Sequence, residues 1–330
     1  MTTGLVIGKF LPPHRGHVFL IETALRHVDR LIVLVCSLER EPIPGERRVA
    51  WLREMFPGVE VRRHTEENPS EPHEDPRFWD LWVASIRRVV PDGPDIVFTS
   101  EGYGDELARR LGARHVMVDR ARRAFPVSGR EVQADPMAFW DFLPGCVRPH
   151  FVRRVVVTGP ESTGKTTLAK RLAGHFQTVF VPEFARAHID AKYAGLTVPS
   201  PPCEEGDIPV IARGQMASED EAAREANRLL VCDTDLYATR LYAEEYFGRS
   251  PTWIREAASA RRADLHFLLD VDVPWASDPQ RDRPHLRSEL FARFRQALEE
   301  DGRRYVVVSG SWEERWGRAR DAVRALVTRA

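Results

Sequence analysis

The sequence predicts an α/β protein made of two doubly wound parallel-sheet domains. Three observations predict it. The chain is 330 residues long, and at roughly 100–200 residues per domain that length suits two. Each half opens with the same unit: a β-rich run, a glycine-containing turn and an amphipathic helix. Behind each opening unit, short apolar runs recur between helical stretches, as parallel sheets require.

The first half starts at Gly4-Leu5-Val6-Ile7-Gly8 and enters a helix near His14. Strands are expected after it at 31–35, 59–63, 96–99 and 115–118. The second half starts with the valine-rich run 152–158, passes through a turn at 159–164 and enters a helix over 165–176. Strands are expected there at 179–182, 229–232, 266–271 and 305–308, the first running on to end in Glu183 and Arg186. Pro144 and Pro149 should stop a helix carrying Phe139, Trp140 and Phe142, which sets domains of 1–147 and 148–330. Two polar, proline-bearing stretches, 66–76 and 197–209, read as long surface loops.

Composition excludes several classes. Lys plus Arg is 48 against 49 for Asp plus Glu, a formal charge of −1. There is no global basic field for nucleic acid, so no DNA partner is expected. No apolar run approaches the ~20 residues of a membrane span, and the start lacks a signal-peptide pattern. The cysteines Cys36, Cys146, Cys203 and Cys232 are scattered, with neither disulfide nor zinc spacing. His64 and His73 flank the first loop without ligand spacing and read as solvated. A cytoplasmic protein is expected, and a homo-oligomer is compatible with the sequence.

Gly159-Pro160-Glu161-Ser162-Thr163-Gly164-Lys165-Thr166 fits the phosphate-loop pattern GxxxxGK[ST], between a strand and a helix and followed by Thr167. Backbone N–H groups of such a loop turn inward around phosphate oxygens, and the helix start adds partial positive charge. Lys165 is placed to reach the β- and γ-phosphates of ATP and Thr166 to ligate Mg²⁺. Asp233, at the end of an apolar strand, belongs with the Mg²⁺, and Asp235 is assigned to the substrate. Glu183 can orient or deprotonate a substrate hydroxyl, and Arg186 can brace the transferring phosphate. Asp278-Pro279-Gln280-Arg281-Asp282-Arg283, followed by Arg287, suits a lid that places Arg281 and Arg283 on the nucleotide. These features favour a small-molecule kinase.

The first turn reads Gly8-Lys9-Phe10-Leu11-Pro12-Pro13-His14-Arg15-Gly16-His17, the GxFxPxHxGH pattern of nucleotidyltransferases. His14 and His17 share one face of the first helical turn. Gly16 between them lets a phosphate chain approach the backbone. Imidazole donors at a helix start stabilise charge that builds on the α-phosphate and the departing pyrophosphate. Lys9 and Lys165, two of only four lysines in the chain, fall inside the two motifs. Trp79 and Trp82 offer indole faces to a cationic ring.

In this order, the motifs resemble the bifunctional nicotinamide-mononucleotide adenylyltransferase / ribosylnicotinamide kinase family. Segments 43–48, 99–104, 125–129, 183–186 and 232–235 extend the resemblance over nearly the whole chain. It implies a Rossmann-like nucleotidyltransferase domain followed by a P-loop kinase domain. The second would phosphorylate nicotinamide riboside with ATP and Mg²⁺; the first would join nicotinamide mononucleotide to the AMP moiety of ATP, giving NAD and pyrophosphate. Some members carry an N-terminal helix-turn-helix; with the first strand at residue 4, none is expected here. One departure stands out. The family signature S-[GST]-T-x-[IV]-R appears as Ser128-Gly129-Arg130-Glu131-Val132-Gln133, without its terminal arginine. Ser128 and Arg130 are expected at the ATP phosphates, Arg130 as the substitute cation, with Arg122 and Arg123 also near in sequence. The departure leaves open the alternative of a riboside kinase whose first domain binds nucleotide or senses NAD.

Overall fold

The computed structural model describes residues 1–327. The chain divides into two compact units, one ending at Val147 and one starting at Arg148.

The first unit holds β1 (Thr3–Gly8), β2 (Arg30–Cys36), β3 (Glu60–His64), β4 (Ile96–Thr99) and β5 (Arg114–Met117), all parallel, in the order β3-β2-β1-β4-β5. Its helices are α1 (Arg15–Leu25), α2 (Gly45–Met55), α3 (Phe78–Val89), α4 (Gly104–Leu111) and α5 (Gly129–Ala134). Alternation along the strands divides the core between the two faces. Val6, Val33 and Phe98 pack with Ile21 and Leu52 on one side; Leu5, Leu34 and Val97 pack with Ile86 and Leu107 on the other. Strand order reverses at β1, which opens a crevice at its carboxyl end, where the histidine motif stands.

The second unit repeats the plan with β6 (Arg153–Thr158), β7 (Val179–Val181), β8 (Leu229–Asp233), β9 (Leu265–Leu269) and β10 (Tyr305–Val308), parallel in the order β10-β9-β6-β8-β7. Its helices are α6 (Lys165–His175), α7 (Phe184–Lys192), α8 (Ile208–Glu225), α9 (Leu236–Phe247), α10 (Thr252–Ala260), α11 (Arg287–Glu300) and α12 (Trp312–Val327). Val155, Val157, Val231 and Phe267 meet α6 and α12 on one face, while Leu268 meets α8, α9 and α11 on the other. The phosphate loop follows β6, the strand where the order reverses. Among the described residues no helix is long and apolar enough to cross a membrane.

Three local expectations are corrected. The helix expected around Phe139 is a single 3₁₀ turn, Trp140–Phe142, because Pro136 and Pro144 leave too few residues for a stable helix. The strand expected to reach Arg186 stops at Val181, since Pro182 has no N–H for the ladder and α7 begins directly after Glu183. His64 is buried rather than solvated, stacked on Trp82 with ring centroids 5.6 Å apart.

Candidate active sites

At the end of β1 the chain turns through Phe10, whose φ of +48° is left-handed and whose ring packs on Gly8 and on His17. His14 then caps α1. Its Nδ1 accepts from the Gly16 N–H at 3.1 Å, and the His14 N–H donates to His17 Nδ1 at 3.3 Å. With each Nδ1 accepting, each neutral ring carries its proton on Nε2. The rings lie 3.8 Å apart, and His14 Nε2 is buried with no hydrogen-bond partner. Burial, then the charge of Arg122, pulls the His14 pKa down to about 4. Burial, then His14 and Arg122, holds His17 well below its ordinary value. The site therefore presents neutral imidazole donors. Gly16 is also required by packing, since a Cβ there would lie 2.9 Å from the His14 ring.

Buried Arg48 fixes this turn, donating to the Lys9 carbonyl at 2.8 Å and to Glu41 at 2.6 Å. The Lys9 ammonium itself is largely exposed, 3.5 Å from Glu41. Ser128 caps α5 in a reciprocal box with Glu131, so its hydroxyl is engaged within the chain. Gly129 stands against the histidines, with its Cβ position 3.7 Å from His14 Nε2. Arg130 and Gln133 are both exposed on α5. The cation whose charge reaches both histidines is Arg122, held by Glu101 at 2.8 Å. Trp79 and Trp82 are half-buried on α3. The Arg110 guanidinium lies over Trp79, 5.7 Å from its centroid, while Trp82 donates to the Pro69 carbonyl at 2.9 Å.

In the second unit, Gly159, Ser162 and Gly164 take φ values of +129°, +56° and +87°, which curl the phosphate loop. Thr163 and Lys165 both donate to the Pro160 carbonyl, at 2.8 and 2.9 Å. Fully buried Arg315 donates to the Thr163 carbonyl at 3.0 Å, and Arg287 to the Ser162 carbonyl at 3.2 Å. Any side chain on Gly164 would run into the Trp312 indole. The Thr166 hydroxyl donates to Asp233 Oδ2, while Asp233 Oδ1 is buried without a partner.

Beside the loop lies a cavity of about 200 Å³. Lys165, Thr166, Thr167, Glu183, Arg186 and Arg281 line its polar side; Ile189, Cys203, Ile208, Ile211, Tyr242 and Tyr246 line the rest. Burial raises the Glu183 and Asp233 carboxyls, with Lys165 opposing in both. Arg186 is paired with Asp278 at 3.0 Å. Two expected residues stand elsewhere. Asp235 is a buried cap of α9, accepting from the Ala238 N–H at 2.9 Å and facing His266 at 3.4 Å. Arg283 stacks over Tyr246 and bonds Glu245 at 2.8 Å, while Arg281 does line the cavity.

Arg48, Arg315 and Gln215 were not singled out from the sequence. Gln215 accepts from the Phe184 N–H at 3.0 Å and so fixes the start of α7 beside Glu183. Each stands on the buried stripe of its helix, beside Leu52, Ala319 and Ile211 respectively, and a polar residue on an apolar stripe was the available signal.

Comparison with known proteins agrees with this division of chemistry. Residues 5–119 match the cytidylyltransferase-like family and residues 154–315 the AAA domain family. The chain is 29% identical over 353 residues to the trifunctional NAD biosynthesis/regulator protein NadR of Escherichia coli (strain K12), covering 99% of this chain and 83% of that one. Its namesake from Salmonella typhimurium is 30% identical over 295 residues, covering 83% of this chain and 70% of that one. A crystal structure of NadR protein in complex with NR shares the fold, with a TM-score of 0.81 and 23% identity over 100% of this chain and 97% of that one. Two motif-bearing turns on two parallel sheets, with that identity along both, place the chain in the family of trifunctional NAD biosynthesis/regulator proteins.

Proposed function

We propose that the two units catalyse consecutive steps of NAD synthesis. The second transfers the γ-phosphoryl group of ATP to nicotinamide riboside, and the first joins the resulting mononucleotide to the AMP moiety of ATP, releasing pyrophosphate. One observation carries the pairing: each unit has its own anion-binding helix start at the reversal point of its own sheet, equipped for different chemistry.

In the first unit the mononucleotide's phosphate is the nucleophile. The two imidazoles keep their protons on Nε2 because backbone N–H groups occupy Nδ1. They donate to oxygens whose charge grows as pyrophosphate departs, and depressed pKa values keep them neutral donors at neutral pH. Arg122, rather than Arg130, supplies the cation that the missing signature arginine would have given. For the pyridinium ring the partners are Trp79 and Trp82, each with one face covered, by the Arg110 guanidinium and by the His64 ring respectively, and the other left for a cation.

In the second unit Lys165 takes the β- and γ-phosphates. Glu183, its carboxyl raised by burial, receives the proton of the riboside hydroxyl. Arg186 and Arg281 line the same cavity and receive charge on the transferring group. Thr166 and the free Oδ1 of Asp233 fit Mg²⁺, which when bound neutralises phosphate charge. Use of ATP and cysteines held as thiols support a cytoplasmic location.

The test is purified protein with ATP, Mg²⁺ and either riboside or mononucleotide, with ADP and NAD read separately. ADP from the riboside and NAD from the mononucleotide are expected. No ADP from the riboside overturns the kinase half. No NAD from the mononucleotide reduces the first unit to a nucleotide-binding module.

A further inference from the structure

Glu161 is a carboxylate inside a loop whose amides and lysine serve anions. Its surroundings place it on the acceptor side of that loop. It lines the cavity together with Glu183, Tyr242 and Tyr246. The negative charges of Asp282 and Glu183 act on it, and both tyrosines feel its charge in turn. The Arg283 backbone N–H donates to the carboxylate, while Oε2 is buried with no hydrogen-bond partner. Burial, then repulsion from Asp282, pushes its carboxyl up to about 7.

A half-buried carboxylate beside a second one, with one oxygen out of reach of water, needs positive charge or a donor. Lys165 is nearby, but its ammonium is committed to the phosphate side. A triphosphate repels Glu161; Arg186 and Arg281 offset the charge of Glu183, but a neutral nucleoside brings no positive charge to Glu161. Carboxylates beside the Tyr242 ring form surroundings that favour a cation, and the neighbouring Tyr246 ring, 6.2 Å away and nearly parallel, already carries one in the Arg283 guanidinium.

We propose that Glu161, although it stands within the phosphate-loop motif, is a specificity residue of the acceptor site that selects a riboside whose base carries a permanent positive charge. The proposal rests on the riboside-kinase assignment above. Nicotinamide riboside carries such a charge on its pyridinium ring. Its dihydro form keeps the hydroxyls and the carboxamide but has a neutral ring. The pair therefore separates charge from shape.

The experiment measures ADP formation from both acceptors. Wild type should favour the cation by about tenfold or more in kcat/KM. Glu161→Gln should shrink that preference to within about threefold, the loss falling on the KM of the cation rather than on that of ATP. Glu161→Asp, which keeps the charge, should retain it. Equal kcat/KM for the two acceptors in wild type overturns the proposal without reference to any variant. So does a preference that survives intact in Glu161→Gln. ADP from neither acceptor overturns the kinase assignment, and the proposal with it, so the two failures are distinguishable.

Discussion

At the histidine pair two neutral imidazoles serve as donors, kept neutral by burial first and by the charge of Arg122 after it. Because Arg122 is the cation that both imidazoles feel, Arg122→Ala should cut mononucleotide-dependent pyrophosphate release by about 10²-fold. Arg130→Ala, on the exposed face of α5, should change it by less than about threefold. The same environment makes stability depend on pH. Unfolded His14 takes up a proton near its ordinary 6.5, whereas the folded ring resists until about 4. Between those values the unfolded chain binds more protons, so stability rises with pH and falls on acidification through that window. The full cost, reached below both values, is about 3 kcal/mol for this ring. Urea midpoints of wild type should fall between pH 7 and pH 5 more steeply than those of His14→Gln, which has no ring to titrate; equal slopes would place the cost elsewhere.

At the scale of elements, both phosphate-binding turns depend on a fully buried arginine that holds backbone carbonyls. Arg48 of α2 takes those of Lys9 and Cys36, and Arg315 of α12 takes those of Thr163, Asp270 and Gly310. Arg48→Met would leave half-buried Glu41 without its closest partner and should destabilise the first unit by about 3 kcal/mol or more, read by urea denaturation. Arg315→Met should raise the KM for ATP by about tenfold or more, because the loop loses the clamp on its Thr163 carbonyl. Strands such as Ile96–Thr99 and Tyr305–Val308 are readable because apolar runs and glycine turns are local signals. The motif turns are readable because each packs its chemistry into consecutive residues. Arg48, Gln215 and Arg315 act over 39, 31 and 152 positions, a separation that no local pattern encodes. Asp235 fails for a related reason: a carboxylate after a strand can face the cavity or cap the next helix, and here the free N–H groups of α9 claim it.

For the whole molecule the consequence is two catalysts with separable failures. Lys165 lies in one compact unit and His17 in the other, each on a sheet with its own buried core. Lys165→Ala should stop ADP formation from the riboside while NAD still forms from supplied mononucleotide. His17→Ala should do the reverse, with mononucleotide accumulating. No covalent intermediate links the steps, so the mononucleotide made by one molecule is a complete substrate for another. An equimolar mixture of the two variants should therefore restore NAD synthesis from the riboside, with a lag that shortens as total protein rises, because transfer then depends on encounter through solution. A mixture that forms NAD only from added mononucleotide would mean that the product is passed within one chain. That outcome would replace two independent catalysts with a coupled one, followed most directly by the time course of NAD at several protein concentrations.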